Sequence, residues 1–345
     1  MVKALSIGAG NRNGPRPDQY FQIFTMERTK VKKTILKSTL LLTMVLMNVG
    51  FGETTHPTQT QPTNTIGKPG LLIIAHGAPW PAWNEPVMKV GEKVTAELNK
   101  DPANTFVKTQ VVFMEFSKPT VADGIETMEK AGCDRIIVVP LLIAPSSHSH
   151  WDIPALLGIY SDPKMTEELK KEGAKLVRSK LPIILTTTLD SGTLIDDILL
   201  DNVREISTNP QEEAVFLLAH GDELTQPVWD AMAKRIVIRL CGEMKFTSGD
   251  WAFVHVGQSF NENGAPAIAK LLEEKKRVIL VGCYLGMTPD KILKMSKMMS
   301  AKSPIPSPLT GKEDCIVSVK KDLCDSPQLV EWIIQTAMSA AKSLQ

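Results

Sequence analysis

The chain has 345 residues, 43% of them hydrophobic and 22% charged, with a formal net charge of +1. This length and composition fit two globular domains with apolar cores. The near-zero charge excludes a global field that would gather nucleic acid or anionic lipid, and five cysteines without a C-x-x-C pair exclude a thioredoxin-type or cysteine-zinc motif.

Residues 1–25 include a Gly-, Pro- and Asn-rich stretch from Gly8 to Asp18 and read as a start-site artefact, with Met26 as the true start. Residues 26–52 follow the secretory signal pattern: Arg28, Lys30, Lys32 and Lys33, then the apolar stretch around Leu40–Met47, then the small residues Gly50 and Gly52. That stretch is shorter than the ~20 residues of a spanning helix. The expectation is export, to a periplasm, with no stable membrane association after cleavage; the competing reading is an uncleaved anchor. Residues 53–70 are polar and read as a linker, in which His56 has no assigned role.

From Leu71 onward, apolar runs alternate with amphipathic ones. Leu71–Ala75 reads as a strand, Pro86–Asn99 as a helix and Val107–Phe116 as a strand. Pro119–Ala131 reads as a helix stopped by Gly132, and Arg135–Ile143 as a strand. A Pro/Ser loop and a helical stretch lead to a strand at Leu181–Thr188 and a helix at Ser191–Ile206. The order then repeats: strand Ala214–Ala219, helix Val228–Leu240, strand Trp251–Val256, helix Pro266–Glu274, strand Val278–Tyr284 and helix Pro289–Met299. The expected fold is α/β, with two similar units at 71–208 and 212–345, each a parallel sheet flanked by helices.

The repeat is also visible in short phrases. Leu71-Leu72-Ile73-Ile74-Ala75-His76-Gly77 returns as Val215-Phe216-Leu217-Leu218-Ala219-His220-Gly221, an offset of 144 residues (220 − 76). Arg135-Ile136-Ile137-Val138-Val139 returns as Arg277-Val278-Ile279-Leu280-Val281, an offset of 142 (277 − 135). Agreement within two residues points to duplication.

The carboxyl edge of a parallel sheet is where open α/β folds place their ligands. In the first unit His76 ends the first strand, Glu115 ends the second, and His148 and His150 lie after the third. Imidazoles with one carboxylate suit Ni, Co, Fe or Zn in an open site. The bland readings are a core histidine for His76, a salt bridge for Glu115 and a solvated loop residue for His150. Trp151 either walls a flat pocket or covers the core. In the second unit His220 matches His76 and His255 takes the place of Glu115, whereas Gly286–Asp290 offers no histidine opposite His148. A second, weaker metal site at His220 and His255 is therefore a further expectation. Cys315 and Cys324 stand nine apart and either form a disulfide or remain thiols.

The strand ending in His76-Gly77, the run Phe113-Met114-Glu115-Phe116-Ser117-Lys118-Pro119-Thr120, and the run Val138 to Pro154 containing Ser147-His148-Ser149-His150-Trp151-Asp152 resemble the class II tetrapyrrole chelatases. The nearest likeness is to sirohydrochlorin cobaltochelatase and ferrochelatase in their long, two-half form, which implies two chelatase-like units with a cleft between them for the tetrapyrrole. The resemblance implies ATP-independent insertion of Co²⁺ or Fe²⁺ into a tetrapyrrole such as sirohydrochlorin. Ni²⁺ meets the same ligand preferences, no nucleotide is involved, and a homo-oligomer is left open. It implies His76, Glu115 and His148 as the catalytic and metal-holding set, with His148 rather than His150 at the family position. A second class of function is an exported carrier of metal or tetrapyrrole without catalysis. A hydrolase is disfavoured, since no G-x-S-x-G elbow, Walker A loop or G-x-G-x-x-G follows a strand.

Overall fold

A computed structural model describes residues 67–343 except 161, 172, 255–259 and 301–306. The start-site, signal and most of the linker segments, and also His56 and His255, lie outside the described residues. Both sheets belong to one compact unit, Thr65–Gln345. No described helix is long and apolar enough to cross a membrane.

The first half runs β1 (Pro69–Ala75), α1 (Pro81–Lys100), β2 (Lys108–Phe113), α2 (Val121–Lys130), β3 (Arg135–Pro140), a π-helical turn (His148–Asp152), α3 (Ile153–Leu156), α4 (Pro163–Lys171), β4 (Ile183–Leu185) and α5 (Leu194–Arg204). The second half runs β5 (Glu213–Ala219), α6 (Gln226–Met244), β6 (Gly249–Phe253), a second π turn (Phe260–Gly264), α7 (Ala265–Glu274), β7 (Arg277–Cys283), α8 (Pro289–Ser300), β8 (Ile316–Ser318) and α9 (Pro327–Lys342). The sheets have matching orders, β2-β1-β3-β4 and β6-β5-β7-β8, with every pairing parallel. Register repeats too. Leu71 pairs with Ile137 and Val215 with Ile279, while Ala75 pairs with Phe113 and Ala219 with Phe253. The two similar α/β units expected from the sequence are present.

β1 and β5 are buried along their whole length, which is why they read as unbroken apolar runs. Each fully buried Leu or Ile side chain contributes roughly 1.5–3 kcal/mol. Alternate residues go to different cores. Leu71, Ile73 and Ala75 share one core with Val215, Leu217 and Ala219. Leu72 and Ile74 face an outer core of the first half, and Ala214, Phe216 and Leu218 one of the second. The central core is thus common to both sheets.

Two helices are exchanged across it. α5 follows β4 but packs on β7 and α6, whereas α9 ends the second half and packs on β3 and α1. The arginines that open the third strands repeat the pattern. Arg135 donates to the Ala341 carbonyl near the end of α9, and Arg277 donates to the Ile206 carbonyl just past α5. Cations suit helix carboxyl ends, where backbone carbonyls lack partners. Asp196 of α5, 3% exposed, accepts from Nε and Nη2 of Arg235 of α6 at 3.1 and 2.8 Å, and Asp197 pairs with Arg239.

Several boundaries differ from the sequence expectation. α1 starts at Pro81, and Pro86 lies inside it. Pro81 takes the first-turn position where a missing N–H costs nothing, so the second proline loses only one early bond. The strand expected over Leu181–Thr188 keeps only Ile183–Leu185, as an edge strand beside β3. β8 and α9 were not anticipated. Cys315 and Cys324 are free thiols, and burial pushes the Cys324 thiol well above its ordinary range.

Candidate metal centre

His76 is the first residue past β1, and the strand pairing continues beyond the strand ends. Met114 N–H donates to the Ala75 carbonyl at 2.9 Å and Glu115 N–H to the His76 carbonyl at 3.0 Å. Gly77 makes this approach possible. It sits at φ +95°, and a Cβ there would fall 2.2 Å from the Glu115 carbonyl oxygen. Glu115 then enters a three-residue turn in which Ser117 N–H donates to its carbonyl at 2.6 Å. Phe116 at the centre has φ +59°, a strained setting for an aromatic residue of the kind found at functional sites. The two loops are tied by Asn84 of α1, whose Nδ2 donates to the Ala78 carbonyl at 2.8 Å and to Ser117 Oγ at 2.7 Å.

His148 opens the π turn, closed by Ile153 N–H donating to the His148 carbonyl. π turns of this kind are frequent at functional sites. His148 and Asp152, four apart, meet on one face, with Nδ1 and Oδ2 2.6 Å apart.

One ligand atom each from His76, Glu115 and His148 lie within 4.8 Å of one another, and all three residues are half-buried. The tautomers follow from the partners. Nδ1 of His76 lies 2.7 Å from the Gly77 carbonyl, which only accepts, so Nδ1 carries the hydrogen. The Asp152 carboxylate imposes the same on His148. Each imidazole therefore keeps its Nε2 lone pair for a metal. Ligands about 2.0–2.1 Å from a first-row ion are at most about 4.2 Å apart, a span comparable to the limit within which this trio lies. For His148, burial favours the neutral ring, but the Asp152 hydrogen bond and the charges of Asp152, Glu115 and Asp222 outweigh it and raise its pKa. Burial likewise opposes ionisation of Asp222, yet hydrogen bonds from Thr225 and Ser147 hold its carboxyl below the ordinary carboxylate range.

His150 is not part of this trio. It is exposed, its Nδ1 lies 3.0 Å from the Ser146 carbonyl, and its ring neighbours Trp151. Expected as a fourth ligand, His150 lies apart from the other three: two residues on in a helical turn, its side chain points away from that of His148. His220 repeats the local geometry of His76, with Nδ1 2.8 Å from the Gly221 carbonyl, but is exposed. Phe253 pairs with Ala219 as Phe113 pairs with Ala75, and His255 lies outside the described residues.

Each ligand loop also carries an exposed aromatic: Trp80 after His76, Phe116 after Glu115 and Trp151 after His148. The Phe116 ring lies 6.0 Å from that of His76, and Trp151 lies 6.3 Å from Tyr160. Sequence reasoning missed Asn84, Ser117 and the partnership of Asp152 with His148. Only the last had a signal, an Asp four residues after a His in a helical turn.

The sequence model of the CbiX family matches residues 70–206. The sirohydrochlorin cobaltochelatase of Saccharolobus islandicus is 31% identical over 136 residues, covering 39% of this chain and 94% of the relative. The chain belongs to the class II chelatase family. That sequence likeness is to a relative little longer than the first half of this family member. The likeness of fold extends further. The sirohydrochlorin chelatase SirB from Bacillus subtilis subspecies spizizenii, solved in complex with cobalt, superposes with a TM-score of 0.54 at 16% identity, over 80% of this chain and 96% of SirB. DR2241 from Deinococcus radiodurans, a multi-domain protein described as structurally similar to chelatases, gives 0.52 at 13% identity, over 79% of this chain and 54% of DR2241.

Proposed function

We propose that this chelatase inserts Co²⁺ or Fe²⁺ into sirohydrochlorin or a closely related tetrapyrrole, without nucleotide hydrolysis, at His76, Glu115 and His148. The observation that carries the reading is the convergence of these three ligand groups within 4.8 Å, beside loops that each present an exposed aromatic. The relative from Saccharolobus islandicus is a sirohydrochlorin cobaltochelatase and SirB a sirohydrochlorin chelatase, which supports the same macrocycle here.

In this reading the metal is a substrate. It arrives hydrated and exchanges water for Nε2 of His76, Nε2 of His148 and a Glu115 oxygen. Trp80, Phe116 and Trp151 offer apolar faces for a flat ring. Insertion forms metal bonds to the ring nitrogens and releases two N–H protons. As the metal leaves its protein ligands, their lone pairs become available to take those protons. His148 is the better placed imidazole, because Asp152 stabilises the imidazolium that forms. Glu115 takes the second proton, and both protons then pass to solvent. Export of the protein belongs to the same proposal, on the signal pattern of residues 26–52.

The test is anaerobic incubation of the full chain with sirohydrochlorin and Co²⁺ or Fe²⁺, followed by macrocycle absorbance against a protein-free control. Turnover above background that disappears in His148→Ala supports the reading. Stoichiometric binding of metal or macrocycle without acceleration overturns it and favours a carrier.

A further inference from the structure

The second half offers no histidine at the position of His148, yet it keeps the His-Gly loop after its first strand. That loop carries Asp222 at the position of Ala78, 144 residues apart (222 − 78). Oδ1 of Asp222 accepts from Thr225 N–H at 2.9 Å, and Oδ2 accepts from Ser147 Oγ at 3.4 Å. The Thr225 hydroxyl lies 2.7 Å from the Pro145 carbonyl and 3.0 Å from Asp222 Oδ1, between which it shares its hydrogen. Pro145 and Ser147 belong to the loop that ends β3 of the first half, and Ser147 is the residue directly before His148.

We propose that Asp222 is a positioning residue of the metal centre: by holding the Ser147 hydroxyl and, through Thr225, the Pro145 carbonyl, the diverged half fixes the peptide that carries His148. The inference rests on His76, Glu115 and His148 being the metal ligands. Loop 145–149 has bonds of its own, from Ser146 N–H to Ser149 Oγ at 2.9 Å and from His150 N–H to the Ser146 carbonyl at 3.1 Å. Both shape the turn internally and neither ties it to the rest of the fold. The bonds to Asp222 and Thr225 do, and they come from the other half. Asp152 orients the His148 ring, whereas Asp222 sets where that ring's backbone stands. A loop free to move loses part of the convergence with His76 and Glu115, since partners that orient a ligand are typically worth 10–100-fold in metal affinity. The competing role for Asp222 is purely local, as the acceptor that shapes the turn before α6.

The test titrates the full chain with Co²⁺ alone, reading visible d–d absorption, and records Tm for each variant. Asp222→Ala is expected to weaken Co²⁺ binding about tenfold and to alter the absorption band. Ser147→Ala, which removes only the hydroxyl, moves both in the same direction by less. Arg235→Ala, remote from the loop, lowers Tm without moving the band. Wild-type affinity and band in Asp222→Ala overturn the proposal, even if Tm falls. If Asp222→Ala does not fold, Ser147→Ala decides, and an unchanged band there overturns it. If His148→Ala itself binds Co²⁺ as the wild type does, the metal-site reading has failed, an outcome distinct from a failure confined to Asp222.

Discussion

Oδ2 of Asp152 lies 2.6 Å from Nδ1 of His148, across one helical turn that is π rather than α in form. The carboxylate fixes the ring's tautomer and aims Nε2 into the space shared with His76 and Glu115. Removing it should weaken Co²⁺ binding by about 10–100-fold in Asp152→Ala. Asp152→Asn retains an acceptor for Nδ1 without the charge and should lose less. Isothermal titration with Co²⁺ ranks the two; equal affinity of Asp152→Ala and wild type would refute the role.

The two loop histidines should behave differently. His148→Ala removes a ligand and should abolish metal insertion with the fold intact. His150→Ala removes a ring bonded to the Ser146 carbonyl and should leave the rate within about threefold, as expected for an exposed group that touches no reacting atom. Steady-state rates with circular dichroism check both, and reversed severities would mean that the loop presents the other histidine.

Gly77 and Gly132 both have positive φ, at +95° and +72°, but only at Gly77 does a Cβ meet backbone. Gly132→Ala should cost about 1 kcal/mol, from conformational strain alone. Gly77→Ala should cost more, and should also lower metal affinity, because it forces the His76 and Glu115 loops apart. Urea unfolding beside Co²⁺ titration measures both effects. Equal cost at the two positions would show that the close approach to the Glu115 carbonyl does not matter.

Glu213 supplies a test of acid stability. It is almost fully buried at the start of β5, where burial opposes its ionisation. Hydrogen bonds from Ser207 Oγ at 2.6 Å and Thr208 N–H at 3.2 Å, with the Arg277 charge, outweigh burial and lower its pKa from 4.5. A depressed carboxyl contributes stability that is fully present above its unfolded value and is lost as pH falls through the folded one. Unfolding free energy should therefore decline below about pH 4.5, and Glu213→Gln should flatten that decline. Urea unfolding between pH 3 and 7, as an order-of-magnitude window around the carboxylate range, resolves it.

The duplication and the parallel sheets were legible because parallel strands buried on both faces leave unbroken apolar runs. Leu71–Ala75 and Val215–Ala219 are such runs, and the observed register repeats their sequence offset. His76 and Glu115 stood out because a polar side chain closing an apolar strand has few structural uses, and His148 because it lies in a polar loop after a buried strand. The helix exchange was not legible. The apolar faces of α5 and α9 look alike whichever sheet they cover, and nothing local distinguishes β3 from β7 as a partner. Asn84, Ser117 and Asp222 were hidden for a related reason. Their work is done through single hydrogen bonds to backbone atoms and hydroxyls of other loops, which leave no periodic pattern in the residues they hold.

The exchanged helices bear on how the chain could diverge. A copy whose last helix covers its neighbour's sheet cannot be discarded when its own chemistry decays, because the surviving copy would be left with a bare apolar face. Selection then acts on the two halves for different properties, ligand chemistry in one and shape in the other. Substitutions at positions such as His148 would be tolerated in the second half, while those facing the common interior would be purged from both.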